Sequence, residues 1–280
     1  MTEKYMIAVD MDGTLLNNKG KITERTLNTL KTLLDAGHYV VPASGRAFPI
    51  LPEEIKSLSG IQYAILENGA VIWDWAKKLP LFVKLMPDSM AQRILQKVRE
   101  DYQKEKYVTE LIAAGFVCAE ANDKPLFGMG WFGKNFEEYM LSNHEYIEDI
   151  HERVDILQKA EKINLYFEQR DIAAEVRKYW GNIPGICVTT SVGGNAEFTA
   201  ANVNKGTGIA YLRKHLGIDK SHIIAIGDNE NDVEMFEEAG ISVAMGNARD
   251  EIKKKAAHVT IDNDCDGAAR FLLDFFSQHQ

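Results

Sequence analysis

Cysteine is scarce, with only Cys118, Cys187 and Cys265 in 280 residues. They are scattered, odd in number and without metal or redox spacing. A disulfide framework is therefore not expected, and a reducing cytosol suits the chain. Long uncharged apolar runs are lacking too, so nothing reads as a membrane span. No apolar signal run opens the chain. Excess positive charge is also absent: 32 Lys and Arg stand against 41 Asp and Glu, a formal charge of −9. That argues against nucleic acid or an anionic membrane as partner. An anionic ligand would need local attraction, from a metal ion, a few bases and backbone N–H groups. There is no internal repeat and no Gly-x-x-x-x-Gly-Lys phosphate loop. What is present is a globular composition, 45% apolar and 26% charged. The length allows one or two domains with a sizeable core.

The chain is organised around Tyr5-Met6-Ile7-Ala8-Val9-Asp10-Met11-Asp12-Gly13-Thr14-Leu15. The apolar run reads as a buried strand. It stops at two acids spaced one apart, which on a continued strand would face a single point. Such a pair makes a poor core and a good hard-cation site. Gly13 marks a sharp turn or a close approach. The plainer reading is a strand exit with solvated acids.

After it, Thr23 is a candidate N-cap for a helix carrying Leu27, Leu30, Leu33 and Leu34, with Gly37 at its end. A strand over 39–43 stops at Ser44-Gly45-Arg46, three groups able to donate to an oxyanion. A short helix near 53–58 and a strand over 63–66 lead to Asn68-Gly69, a hairpin signal. Strand, helix, strand, helix, strand argues a parallel sheet with crossover helices. From about Leu81 the pattern changes. A long helix capped by Asp88 or Ser89, paired strands, a Gly- and aromatic-rich loop over 127–133, and further helices and strands make a mixed α+β block over 84–199. The first pattern returns at Val203. An α/β core over 1–83 and 200–280 with an inserted α+β domain is therefore expected.

Four polar strand-end groups remain: Asp10 with Asp12, Ser44-Gly45-Arg46, Lys205, and Asp228 with Asn231 and Asp232. In an open parallel sheet, ligands sit beyond the carboxyl ends of the strands. Asp10, Asp12 and Asp228 are an all-oxygen set that suits Mg²⁺ and disfavours zinc. Lys205 offers a point charge for a phosphate oxygen. Singly, each group could be a solvated surface feature or an acidic helix start.

Together and in this order, Asp10-Met11-Asp12-Gly13-Thr14-Leu15, Ser44-Gly45-Arg46, Lys205-Gly206 and Gly227-Asp228-Asn229-Glu230-Asn231-Asp232 resemble the four motifs of the haloacid dehalogenase superfamily. The length and position of the inserted block resemble its Cof-type sugar-phosphatase branch. The resemblance implies a Rossmann-like core with a large cap, and a Mg²⁺-dependent phosphatase. Asp10 would be the nucleophile and Asp12 the acid and base. Mg²⁺ would bind Asp10, the Asp12 carbonyl and Asp228, with Asp232 behind them. Met11, Ser44, Gly45, Arg46, Lys205 and Asn231 would hold phosphoryl oxygens. The partner would be a small phosphorylated metabolite, a sugar phosphate by branch expectation, in the cytoplasm. A phosphosugar mutase and a non-hydrolytic phospho-acceptor are the alternatives. Trp131, Phe132, Lys134 and His144 are cap candidates for lining the entrance above the phosphate, or equally cap core. Nothing in the sequence indicates an oligomeric state.

Overall fold

A computed structural model describes residues 3–127, 134–191 and 194–278. Trp131 and Phe132, with the rest of the expected loop over 128–133, lie outside them. The chain forms two compact units. One comprises Met1–Arg46, Leu51–Phe82 and Asn204–Gln280; the other comprises Ala47–Ile50 and Val83–Val203.

The first unit begins with β1 (Met6–Val9), buried along its whole length. Thr23 caps α1 (Glu24–Asp35), accepting from the Thr26 backbone N–H at 3.1 Å, and Leu30 and Leu33 face inward. Gly37, at φ +87°, takes the left-handed turn that leaves the helix. There follow β2 (Tyr39–Pro42), α2 (Glu53–Lys56), β3 (Tyr63–Leu66), β4 (Val71–Asp74) and β5 (Leu79–Val83).

The expectation that the third strand extends the parallel sheet is corrected. β3 pairs antiparallel with β4, Tyr63 opposite Asp74, in a separate sheet ordered β3-β4-β5. It meets the end of β2 through one parallel bridge, Ala43 to Ile65. Pro42 gives the reason. Tyr39 and Ala43 donate toward β1, so the amides between them alternate to the other side. On that side Pro42 has no N–H to give. The first donor beyond it is Ser44, whose N–H reaches the Ile65 carbonyl at 2.8 Å.

The second unit holds α3 (Met90–Asp101), β6 (Tyr107–Ala113), β7 (Phe116–Glu120), α4 (Lys134–Asn143), β8 (Glu145–Ile147), α5 (Val154–Leu157), β9 (Ala160–Phe167), α6 (Arg170–Trp180), β10 (Ile186–Thr189) and β11 (Asn195–Ala200). Ser89 precedes α3 at φ +61° but makes no side-chain cap, contrary to expectation. The sheet runs β10-β11-β9-β6-β7-β8. One face buries Leu111, Ile163, Leu165 and Phe198 with Ile94, Val98, Val176 and Trp180 of α3 and α6. The other carries buried Glu110, Lys162, Asn164, Asn195 and Glu197. His144 belongs to this interior: its side chain is unexposed, and Nε2 lies 2.7 Å from Glu110 Oε2.

The chain then completes the first unit with α7 (Lys205–Leu216), β12 (Ile223–Gly227), α8 (Val233–Glu238), β13 (Ile241–Ala244), α9 (Asp250–Lys253), β14 (His258–Val259) and α10 (Gly267–Gln278). Its main sheet is wholly parallel, ordered β14-β13-β12-β1-β2. The fold is α/β, and β1 lies second from one edge, beside β12. Asp10 and Asp228 therefore leave the sheet from neighbouring strands.

Candidate active site

The two acids after β1 do not converge as an extended strand would make them. Asp10 is still tied to the sheet, its N–H donating to the Ile226 carbonyl at 2.9 Å. Beyond it the chain curls: the Met11 carbonyl accepts from Leu16 N–H at 2.8 Å and from Thr14 N–H at 3.3 Å. The two-residue alternation ends there, and the carboxylates part. Asp10 is buried against Lys205, while the Asp12 side chain, 53% exposed, receives Arg46 through Nε at 2.8 Å and Nη2 at 2.6 Å. That fork is a bidentate guanidinium–carboxylate pair.

Lys205 is the first residue of α7, fixed by an Asn204 capping box. The Asn204 side chain accepts from the Thr207 N–H at 2.8 Å, and Thr207 Oγ1 accepts from the Asn204 N–H at 3.1 Å. The lysine side chain has no exposure, and Nζ sits 2.5 Å from Asp10 Oδ1 and 2.6 Å from Asp232 Oδ1. Asp232 in turn accepts the backbone N–H groups of Asp228 at 2.9 Å and Asn229 at 3.0 Å through Oδ2. Thr14 Oγ1 donates to Asp228 Oδ1 at 3.0 Å. Gly13 allows that approach: its φ is +85°, and a Cβ there would lie 2.5 Å from Asp228 Oδ2.

The second strand-end loop joins through the hairpin. Ser44 Oγ accepts from the Arg46 N–H at 3.1 Å, and the Ser44 carbonyl accepts from the Asn68 N–H at 3.0 Å. Buried Asn68 accepts from Asn231 Nδ2 at 3.2 Å. Met11 is fully buried, and Gly45 lies between Ser44 and Arg46. Hydrogen bonds thus connect all four groups read from the sequence.

The profile of the haloacid dehalogenase-like hydrolases matches residues 7–272. The chain belongs to that family. Within the family it falls in the Cof-type branch, and it is a phosphatase enzyme. It is 27% identical to 5-amino-6-(5-phospho-D-ribitylamino)uracil phosphatase YitU of Bacillus subtilis (strain 168), with 99% of both chains covered. A solved haloacid dehalogenase-like hydrolase from B. subtilis superposes with a TM-score of 0.84 at 27% identity, over 96% of this chain and 99% of that one. A sugar phosphatase of subclass IIB shares the fold at a TM-score of 0.79 and 20% identity, over 97% and 99% of the two chains.

In this haloacid dehalogenase-like hydrolase the site is crowded with negative charge. Asp10, Asp228 and Asp232 place carboxylate oxygens within 4.8 Å of one another. Burial, then the charge of Asp232, raises the Asp10 carboxyl well above the ordinary range, against the pull of Lys205. Burial and Asp232 likewise push Asp228 up to about 7. Burial alone would lower the Lys205 ammonium, but Asp10 and Asp232 outweigh it and hold it above its ordinary value. One lysine against three clustered carboxylates leaves positive charge wanting. An oxygen-only donor set with that deficit fits a hard divalent cation.

Three contributors went unread in the sequence. Thr14 stands out there only as part of a motif, with no role of its own. Asn247 donates through Nδ2 to the Gly13 carbonyl at 2.8 Å and to Asp228 Oδ2 at 3.5 Å. Asn263 donates from its backbone to Asn247 Oδ1 at 3.0 Å, and through Nδ2 to the Leu16 carbonyl at 2.8 Å. A signal for Asn247 existed: Gly246-Asn247 follows β13 at the same carboxyl-end level as the other loops.

Proposed function

We propose that the enzyme is a Mg²⁺-dependent phosphatase acting on small phosphate monoesters, sugar phosphates foremost, through an aspartyl-phosphate at Asp10. The observation that carries the reading is the buried Lys205 bridge between Asp10 and Asp232, set beside Asp228. It supplies a carboxylate with a fixed direction, a cation beside it and oxygen ligands for a metal.

Asp10 attacks phosphorus through one oxygen, and the bond from phosphorus to the ester oxygen breaks. As the phosphoryl oxygens draw Arg46 away, Asp12 takes up a proton from solvent and gives it to the leaving alkoxide. In the second half a water attacks phosphorus, Asp12 takes the water's proton, and the bond to Asp10 breaks to release phosphate. Splitting one displacement into two lowers each barrier, and general acid–base help from a positioned carboxyl lowers them further. Mg²⁺, held by Asp10, the Asp12 carbonyl and Asp228 with Asp232 behind them, would supply charge that offsets repulsion between the carboxylate and the phosphoryl oxygens. The Met11 backbone, Ser44, Gly45, Arg46, Lys205 and Asn231 are assigned to the phosphoryl oxygens. Arg46 also orients Asp12 before substrate arrives.

The reading places the enzyme in the cytoplasm with a phosphorylated metabolite as partner. Its test is a panel of phosphate esters with Mg²⁺, ranked by kcat/KM from released phosphate. The panel includes sugar phosphates, flavin mononucleotide, pyridoxal phosphate and 5-amino-6-(5-phospho-D-ribitylamino)uracil, the substrate in the relative's name. Sugar or sugar-like phosphates should rank first, and EDTA should abolish release. Turnover that survives thorough chelation, or isomer formation without phosphate release, would overturn the reading.

A further inference from the structure

Asp228 is gripped through both carboxylate oxygens, and only one grip comes from the motif segment that follows β1. Thr14 holds Oδ1 at 3.0 Å. The second grip is Asn247, at the carboxyl end of β13. Its Nδ2 donates to the Gly13 carbonyl at 2.8 Å and reaches Asp228 Oδ2 at 3.5 Å. The direction of that amide is decided by its other end. Oδ1 must accept the Asn263 backbone N–H at 3.0 Å, so the NH₂ group has to face Gly13 and Asp228. Asn263 is itself anchored on the same segment, its own Nδ2 donating to the Leu16 carbonyl at 2.8 Å. The loop after β13 and the turn at 263–265 thus close a ring of hydrogen bonds around residues 13–16. Gly13 completes it, because its missing Cβ lets Asp228 lie against the turn.

We infer that Asn247 is a positioning residue for the cation site. It fixes the Asp228 carboxylate against the Gly13 turn, so that the lone pairs left over point to the place where Asp10 also offers oxygen. The inference rests on the proposed assignment of Asp10 and Asp228 as metal ligands. A single amide suffices because it donates twice into one side: to a backbone carbonyl that shapes the turn and to the carboxylate itself. Removing it leaves Asp228 with the Thr14 contact alone, free to swing within a pocket where Asp232 repels it. Groups that orient metal-binding carboxylates typically carry about tenfold or more in metal affinity.

The test is Mg²⁺ titration of the substrate-free full-length protein by isothermal calorimetry, with Asn247→Ala, Asn263→Ala and Asp228→Asn beside wild type. Asn247→Ala should weaken Mg²⁺ about tenfold. In turnover the loss should be recovered by raising Mg²⁺, with kcat near wild type at saturation. Asn263→Ala cuts the Leu16 anchor but keeps the backbone donor to Asn247. It should lower the melting temperature of the metal-free protein while leaving Mg²⁺ affinity within about twofold of wild type. That contrast separates positioning from loop stability. If Asn247→Ala does not fold, Asn247→Ser, which keeps a small polar side chain too short to reach Asp228, carries the same comparison. Affinity within twofold of wild type in a folded Asn247 variant, while Asp228→Asn loses the ion, overturns this inference alone. If Asp228→Asn also binds Mg²⁺ like wild type, the metal assignment itself falls.

Discussion

Lys205 carries a full positive charge with no exposure, and two carboxylates at 2.5 and 2.6 Å are what make that tolerable. Deleting one partner of a buried ion pair leaves the rest uncompensated, at a cost of about 3–5 kcal/mol. Lys205→Ala is therefore expected to lower stability by about that amount in chemical denaturation. Phosphate release should fall at least about a hundredfold, the loss typical when one preorganised donor to a developing charge is removed. Lys205→Arg should not rescue it, because the larger planar head has no room where the ammonium is fully enclosed. At this scale the sequence was informative about which residues matter and less about whom they touch. Asp10, Lys205 and Asp232 are legible as chemistry from residue type and strand-end position. The pairing of Lys205 with two acids, and of Asp12 with Arg46, is not, since it depends on how the chain curls after Asp10. Asn247 stayed hidden for the same reason: its partners lie in residues 13 and 263, and no periodic pattern links them.

Elements set these contacts. The hairpin between β3 and β4 passes through Glu67, Asn68 and Gly69 at φ 54°, 55° and 99°. A Cβ on Gly69 would lie 2.2 Å from the Asn204 carbonyl, at the cap of the helix that Lys205 begins. Gly69→Ala thus combines a strained φ with a backbone collision. A loss of about 2 kcal/mol or more in denaturation is expected, with kcat falling alongside as α7 and its lysine shift. Asn68-Gly69 was legible as a turn; the helix cap backing onto it was not. From sequence alone β3 belongs to the main sheet, because alternating helices and strands usually mean one parallel sheet; the missing N–H of Pro42 overrides that grammar locally. In the other unit, Asp123 accepts the Thr109 N–H at 2.7 Å, but burial pushes its carboxyl up to about 7, with Glu120 adding to the rise. Its folded value lies above its unfolded one, so between about pH 4 and 7 the folded state holds a proton the unfolded state has lost. That contribution to stability is present at low pH and disappears as pH rises through 7. Asp123→Asn keeps an acceptor for Thr109 and cannot ionise. Denaturation at pH 5 and pH 8 should show wild type losing stability relative to Asp123→Asn as pH rises; a constant difference between the two proteins would rule out a titrating Asp123.

Across the molecule, two units of different construction follow from two grammars in one chain. The parallel sheet gathers the proposed catalytic groups at its strand ends, and the mostly antiparallel sheet of the other unit has one apolar face and one charged one. A net charge of −9 makes general attraction of a phosphate ester unfavourable. The charge that binds substrate has to be local, and Mg²⁺ is the proposed source. Binding only to the folded state, Mg²⁺ at about a hundred times its dissociation constant should stabilise the protein by about 2.7 kcal/mol. Thermal unfolding should therefore shift upward with Mg²⁺ in wild type and not in Asp228→Asn. The proposed aspartyl-phosphate at Asp10 can be sought directly, whatever the substrate's identity or the metal's affinity. Enzyme turning over a phosphate ester in Mg²⁺ is quenched in acid, reduced with borohydride and digested, and the peptide spanning Asp10 is analysed by mass spectrometry. An acyl phosphate at Asp10 is expected to appear as homoserine at position 10, and to be absent without substrate and in Asp10→Asn. An unmodified Asp10 peptide under conditions of rapid turnover, with Asp10→Asn releasing phosphate at the wild-type rate, would contradict the account.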